Sequence, residues 1–236
     1  MSGELPSMAP LNALLGQNKQ LRMDFSRFML NYEFAIDEVM TKINILRKEF
    51  EHLHDYSPIE HITSRLKSPE RLVEKLQRLG IDFNFESVQE NILDVAGIRV
   101  VCSFNADVYS VAEMLAGQAD LEVLNVKDYI KNPKANGYRS LHMIVRVPVF
   151  LSASVEHMCV ELQLRTVAMD FWASLEHKIY YKYQTEIPAP LLQELLEAAE
   201  TAHQLDVSME RIHEVVRGRH PQAGHVDAPS PQGADL

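Results

Sequence analysis

The 236-residue chain has little cysteine, no surplus of positive charge and no long apolar run. Nowhere does an apolar stretch reach the ~18 residues that mark a membrane-spanning helix, so no membrane association is expected. The first residues, MSGELPSMAPLNALLGQ, lack a basic start and carry only a short apolar patch, which argues against a secretory signal. The two cysteines, Cys102 and Cys159, both sit in apolar, strand-like runs. Two thiols placed this way make neither a disulfide framework nor a zinc site. They read as reduced core or near-core residues, and the expected location is cytoplasmic. The formal net charge is −10, the opposite of what a non-specific nucleic-acid binder carries. Stable nucleic-acid or ribosome binding is therefore not expected. An anionic substrate would have to meet a local basic cluster.

What is present is apolar enough, at 46% hydrophobic, for one well-cored domain with helical appendages. Residues 1–20 read as irregular. Phe25, Met29, Tyr32, Ile36, Val39, Ile43, Leu46, Phe50 and Leu53 then recur at steps of four and three. That is a long helix with a repeat of about 3.5 residues, ending at HDYSP. Leu191, Leu195, Ala198, Ala202, Leu205, Met209, Ile212 and Val216 repeat the pattern near the other end. Two readings stand for this pair of helices: they pack on a central sheet and on each other, or one also builds an oligomer interface. The domain spans 21–217. The tail 218–236, rich in Gly, Pro and Ala, reads as disordered.

Between the long helices the pattern changes. Ser68-Pro69 starts a helix that stops at Gly80. Strands are predicted at 96–104, 121–126, 138–150 and 158–166, and helices at 107–117 and 167–183. This order predicts an α/β (α+β) domain with a mixed β-sheet.

Four stretches carry candidate chemistry. In SRLKSPERLVEKLQR (64–78), Arg65 and Lys67 precede a helix whose Arg71, Lys75 and Arg78 share one face. Cations beside a helix N-terminus can clamp a polyphosphate; a solvated basic face is the alternative. In LDVAGIRV (93–100), Asp94 at the mouth of a strand is a candidate Mg²⁺ ligand or a plain loop residue. Arg99, inside an apolar strand, calls for an anionic partner. In MCVELQLRT (158–166), alternation places Met158, Val160, Leu162 and Leu164 on one face and Cys159, Glu161, Gln163 and Arg165 on the other. The polar side is either a solvated edge or the wall of a cleft. In NGYRSLH (136–142), Tyr138 and His142 share a face and either orient a nucleobase or form a plain cross-strand pair on a solvated sheet, with Lys127, Lys131 and Lys134 upstream for phosphates. Two acids, two basic sets and an aromatic platform fit a metal-assisted phosphoryl-type transfer between two nucleotides.

The ordered segments SRLKSPERLVEKL, DVAGIRVVCSF, DYIKNPKANGYRSLH and VELQLRTVAMDFWASLEHK resemble the synthetase domain of the RelA/SpoT homologue superfamily, over residues 25–217. Length matches its small alarmone synthetases, in particular the RelP-like branch. The resemblance implies a nucleotidyltransferase-like fold with about five strands, and transfer of pyrophosphate from ATP to the 3′-hydroxyl of GDP or GTP. It implies a donor site at Arg65, Lys67, Arg71, Lys75 and Arg99. It implies Mg²⁺ on Asp94 and Glu161, with Glu161 also activating the acceptor hydroxyl. The acceptor site falls on Tyr138, stacked on guanine, with Lys127, Lys134, His142, Gln163 and Asp170. Arg71 stands where many relatives carry Ser, and Asp170 where another branch carries Asn. The family's small members form homotetramers, and no hydrolase activity is expected. A nucleotide-binding regulator of the same fold and a tRNA 3′-end pyrophosphokinase are the alternatives.

Overall fold

The protein is described from a computed structural model that covers residues 19–54, 56–82, 84–182 and 188–219. Residues 1–18 and 220–236, which hold nearly all of the expected irregular start and disordered tail, lie outside the described residues. The sheet contains β1 (Ile59–Leu66), β2 (Ala96–Cys102), β3 (Glu122–Asp128), β4 (Leu141–Phe150) and β5 (Val155–Thr166), in the order β1-β2-β5-β4-β3. Only β2 and β5 run parallel; every other pair is antiparallel. The sheet is thus mixed, as expected, with β5 at its centre.

Strand alternation gives the sheet two unlike faces. Ile98 and Val100 of β2 lie opposite Leu162 and Leu164 of β5, and all four are buried. Helix α1 (Lys19–Leu53) covers this apolar face with Phe25, Phe28, Tyr32, Ala35, Ile36, Val39, Ile43 and Leu46. Each is an aliphatic or aromatic group removed from water, which is the main drive for folding. The other face carries the polar residues and is left open.

Helix α2 (Pro69–Leu79) starts and stops where its sequence directs. The Ser68 side chain accepts from the Arg71 N–H at 3.4 Å, Pro69 occupies the first turn, and Gly80 ends the helix at φ 69°. Helix α3 (Phe85–Asn91), capped by Asn84, and strand β1 are the two elements the sequence pattern did not predict. Helix α4 (Asn105–Ala116) packs on β5 and β2. Helix α5 (Val167–Lys182) follows β5 directly and packs on α6 (Ala189–Arg219).

Two expectations are corrected. Helix α6 packs on α5 and α4 rather than on α1, so the two long helices do not share a seam. Its residues Leu205, Met209, Ile212 and Val216 stay between 47% and 56% exposed. Strand β4 begins at Leu141, not at residue 138. Residues 129–140 form a loop instead, held by Asp128 Oδ1, which accepts from the N–H groups of Ile130 and Lys131. At the loop's bend Gly137 has φ 86°, and a Cβ there would lie 2.5 Å from the Ala199 Cβ of α6. The loop therefore seats on α6, where Tyr138 packs against the small core of Trp172, Ala173 and Ala199.

Candidate active site

The polar face is built in rows by strand register. One row runs Arg65 (β1), Gly97 (β2), Glu161 (β5) and Ile144 (β4). The next runs Thr63, Arg99, Gln163, His142 and Lys127 across all five strands. Side chains directly opposite one another share a face, so the candidate residues of four separate segments become neighbours. Gly97 makes the first row possible: a Cβ there would lie 3.2 Å from Arg65 Nε. Without one, Arg65 lies across β2 and its guanidinium comes 3.6 Å from Glu161 Oε2.

Two openings meet at this row. A cavity of about 370 Å³ is lined by Lys75, Asp94, Lys127, Lys134, His142 and Glu161, with Asn91, Asn125 and Tyr129 completing its polar wall. A slot of about 100 Å³ lies beside it, between Arg65 and Arg99 over Gly97, with Gln163 at its edge. The edge-of-sheet alternative for the polar side of β5 is excluded, because β5 is paired on both sides.

Asp94 stands just before β2 and is gripped by Lys75 Nζ at 2.7 Å and Lys67 Nζ at 2.9 Å. Burial alone would raise its pKa; the two ammonium groups outweigh burial and hold it below the usual carboxylate range. The solvated-face alternative therefore does not apply to Lys67 and Lys75. Arg71 and Arg78 share their helix, yet both side chains are exposed and line neither opening.

Glu161 is held on both oxygens. His142 Nδ1 lies 3.1 Å from Oε1, and Gln163 Nε2 donates to Oε2 at 2.8 Å. Burial again works to raise the pKa, and the His142 and Gln163 contacts outweigh it, so the group stays ionised. Tyr138 and His142 do meet, with the Tyr138 hydroxyl 2.7 Å from His142 Nε2. The contact arises from the turn ahead of β4 and not from strand pleating. Lys134 Nζ lies 4.7 Å from the ring centres of both Tyr129 and Tyr138. Lys131 is drawn away to Asp128 and lines neither opening.

Arg99 has the anionic partner its strand position demands: Asp170 Oδ1 at 3.1 Å, from the first turn of α5. Asp170 also receives Arg165 at 3.2 Å, so it bridges two guanidinium groups. Arg139 pairs with Glu200 of α6 at 3.3 Å and donates to the Ile130 carbonyl, a structural role that fastens the loop. Sequence reasoning assigned no role to Tyr129 or Arg165. The signal for Arg165 was its alternation with Glu161 and Gln163; for Tyr129 it was an aromatic ring amid lysines.

The donor set suits a hard divalent cation. Asp94 and Glu161 supply oxygen ligands, and two lysine cations already sit on Asp94 in its place. Among the described residues no three His, Cys, Asp or Glu side chains cluster to hold a metal alone. A cation here would take its remaining ligands from nucleotide phosphates.

Comparison with known proteins agrees with this geometry. Residues 64–186 match the region found in RelA / SpoT proteins. The chain is 49% identical over 191 residues to the GTP pyrophosphokinase YwaC of Bacillus subtilis, covering 81% of this chain and 91% of that protein. It is similar to the crystal structure of small alarmone synthetase 2 from Bacillus subtilis, with a TM-score of 0.74 at 48% identity, over 81% of this chain and 98% of that one. Small alarmone synthetase 1 from the same organism, bound to its product pppGpp, superposes with a TM-score of 0.77 at 36% identity, over 83% of this chain and 99% of that one. With its polar sheet face, its order of motifs and more than half its length in agreement, the chain belongs to the RelA/SpoT family, among the small alarmone synthetases.

Proposed function

We propose that this protein is a (p)ppGpp synthetase of stringent-response signalling, transferring pyrophosphate from ATP to the 3′-hydroxyl of GDP or GTP and releasing AMP. The observation that carries the reading is Glu161, an ionised carboxylate fixed on both oxygens between two basic openings. The slot and the Lys75–Asp94 end of the larger cavity take the donor. Lys67 and Lys75 exchange Asp94 for ATP phosphates, and the planar guanidinium groups of Arg65 and Arg99 face the slot beside them. The Lys127–Lys134–His142 end of the larger cavity takes the acceptor. Tyr138 offers its ring to guanine, while Lys127, Lys134 and His142 meet the phosphates.

Glu161 orients the 3′-hydroxyl and receives its proton as the oxygen attacks the β-phosphorus. The new O–P bond forms as the bond from that phosphorus to the α,β-bridging oxygen breaks, and AMP leaves with both electrons. A carboxylate of lowered pKa is a weak base, so orientation contributes more than proton removal. Arg65, Lys67 and Lys75 neutralise charge that develops on the phosphates. Asp94 and Glu161 would hold Mg²⁺, which when bound supplies charge neutralisation on the transferring phosphates. The exposed seam Leu205, Met209, Ile212 and Val216 of α6 supports assembly through a second copy, in a homotetramer. Among the described residues no helix is long and apolar enough to cross a membrane, which accords with a cytoplasmic enzyme.

Purified protein with β-labelled ATP and Mg²⁺ is given GDP, GTP, GMP or tRNA in parallel. Label is expected on GDP or GTP with stoichiometric AMP. Label on tRNA alone supports the tRNA alternative. Nucleotide binding without transfer supports a regulator.

A further inference from the structure

Arg165 is a charged group of the polar face to which the proposed reaction gives no role. Its side chain is 6% exposed, too buried to meet substrate directly, and it lines neither opening. Yet one of its nitrogens, Nη2, donates at 2.6 Å to the Tyr138 hydroxyl and at 3.1 Å to Gln163 Oε1. Nη1 donates to Asp170 and Nε to the Ser140 hydroxyl, at 3.2 Å and 3.4 Å.

Following these bonds outward closes a ring. Guanidinium can only donate, so the Tyr138 oxygen accepts from Arg165, and with His142 neutral the Tyr138 hydrogen goes to Nε2. An imidazole that accepts at Nε2 carries its hydrogen on Nδ1, which donates to Glu161 Oε1. On the other side, Gln163 presents its carbonyl to Arg165, so its amide nitrogen faces Glu161 Oε2. Both arms start at a group that only donates and end at an ionised carboxylate that only accepts. Every hydrogen in the ring is thereby assigned, with no bond pointing the wrong way.

We propose that Arg165 is a positioning residue for Glu161: through Tyr138–His142 on one side and Gln163 on the other, it sets the plane of the carboxylate and aims its remaining lone pairs at the acceptor hydroxyl. The same bond holds the Tyr138 ring, so one buried side chain registers the guanine platform and Glu161 relative to each other. This rests on the proposed pyrophosphate transfer for its kinetic consequence, though the ring itself does not depend on it. Outer residues that orient a reacting group typically cost about 10- to 100-fold when removed.

The test is Arg165→Lys, which keeps a buried charge but cannot donate to both arms in the guanidinium geometry. In the acceptor assay kcat is expected to fall by about tenfold or more while KM for ATP stays within about twofold, since Arg165 meets the donor side only through Asp170, which Arg99 still holds. In ¹⁵N NMR the wild-type His142 is expected as the Nδ1–H form with a hydrogen-bonded Nε2, and the Nε2 resonance is expected to shift in the variant. A folded Arg165→Lys protein with wild-type kcat and an unmoved His142 spectrum overturns the proposal. Should that variant not fold, Tyr138→Phe keeps the stacking ring and cuts one arm. It is expected to lower kcat and shift His142 Nε2, and unchanged values for both overturn the proposal equally. If the wild type itself transfers no label, the functional reading fails, and the NMR comparison still decides whether the ring exists.

Discussion

Both oxygens of Asp94 face an ammonium group, and the same two lysines are the ones proposed to receive ATP phosphates. Donor binding therefore exchanges one set of ion pairs for another, and the carboxylate the lysines leave is one that would hold Mg²⁺. Lys75→Met removes one of these groups and is expected to weaken ATP binding by about tenfold, roughly the value of one charge-assisted contact. GDP affinity is expected to fall less, because Lys75 shares the cavity of Lys127 and Lys134 but is bonded to Asp94 at its donor end. Calorimetry with each nucleotide separately reads both; equal loss for the two nucleotides would remove the lysine from the donor site. At this scale the sequence was informative wherever a strand alternated. Glu161, Gln163 and Arg165 announced one polar face by position alone. The Arg99–Asp170 pair joins β2 to α5, and of Arg71 and Lys75 on one helix face only Lys75 meets Asp94 while Arg71 stays exposed. Neither could be read before the elements were packed.

Elements hold the site through their junctions. Gly137 lies at φ 86° with the Ala199 Cβ 2.5 Å from where its own Cβ would stand, so Gly137→Ala is strained in the backbone and clashes with α6. It is expected to raise KM for the guanine nucleotide by tenfold or so while the KM for ATP barely moves, a split that steady-state kinetics reads directly. Asp206 of α6 grips the start of α5: it accepts from Thr166 Oγ1 at 2.6 Å, and Thr166 in turn accepts from the Met169 N–H. Burial, reinforced by Glu210, pushes the Asp206 pKa from 3.8 to about 6. Between about pH 4 and 6 the folded chain thus keeps a proton that the unfolded chain has lost. Stability falls as pH rises through that window and stays lower above it. Asp206→Asn still accepts from Thr166 and has nothing to ionise. Relative to wild type it is expected to gain about 2–3 kcal/mol on going from pH 4 to pH 7. Thermal melts that run parallel across this range would show that Asp206 ionises freely. Strand β1 escaped sequence reading because only Ile59 is buried, Ile62 and Leu66 are half-buried and the rest meets water, so no alternation marks it. Helix α3 is seven residues, too short to show a period.

At the scale of the whole molecule, a net charge of −10 and an anionic substrate are reconciled by segregation. The cations that matter are gathered on one sheet face, and the acidic surplus lies elsewhere. The second long-range feature is the seam of α6, whose heptad-like spacing was legible while its partner was not: periodicity reports an apolar stripe and says nothing of what covers it. With Leu205, Met209, Ile212 and Val216 open to solvent, the stripe is expected to meet another copy. Met209→Glu with Ile212→Glu should lower the mass seen by light scattering from a multiple of 26.9 kDa toward the single chain. An unchanged mass places the interface on another surface.

The central claim is that Glu161 drives the transfer without being needed to hold the donor. Glu161→Gln keeps the shape of the side chain and an acceptor for one of its two hydrogen bonds, and removes its charge. The decisive measurement pairs two readings on that one variant: product formation from labelled ATP and GDP, and ATP binding by calorimetry. The account predicts turnover reduced by about a thousandfold or more, in line with loss of an acid–base and orienting group, with ATP affinity within about twofold of wild type. Alarmone made at the wild-type rate by a folded Glu161→Gln protein would contradict it.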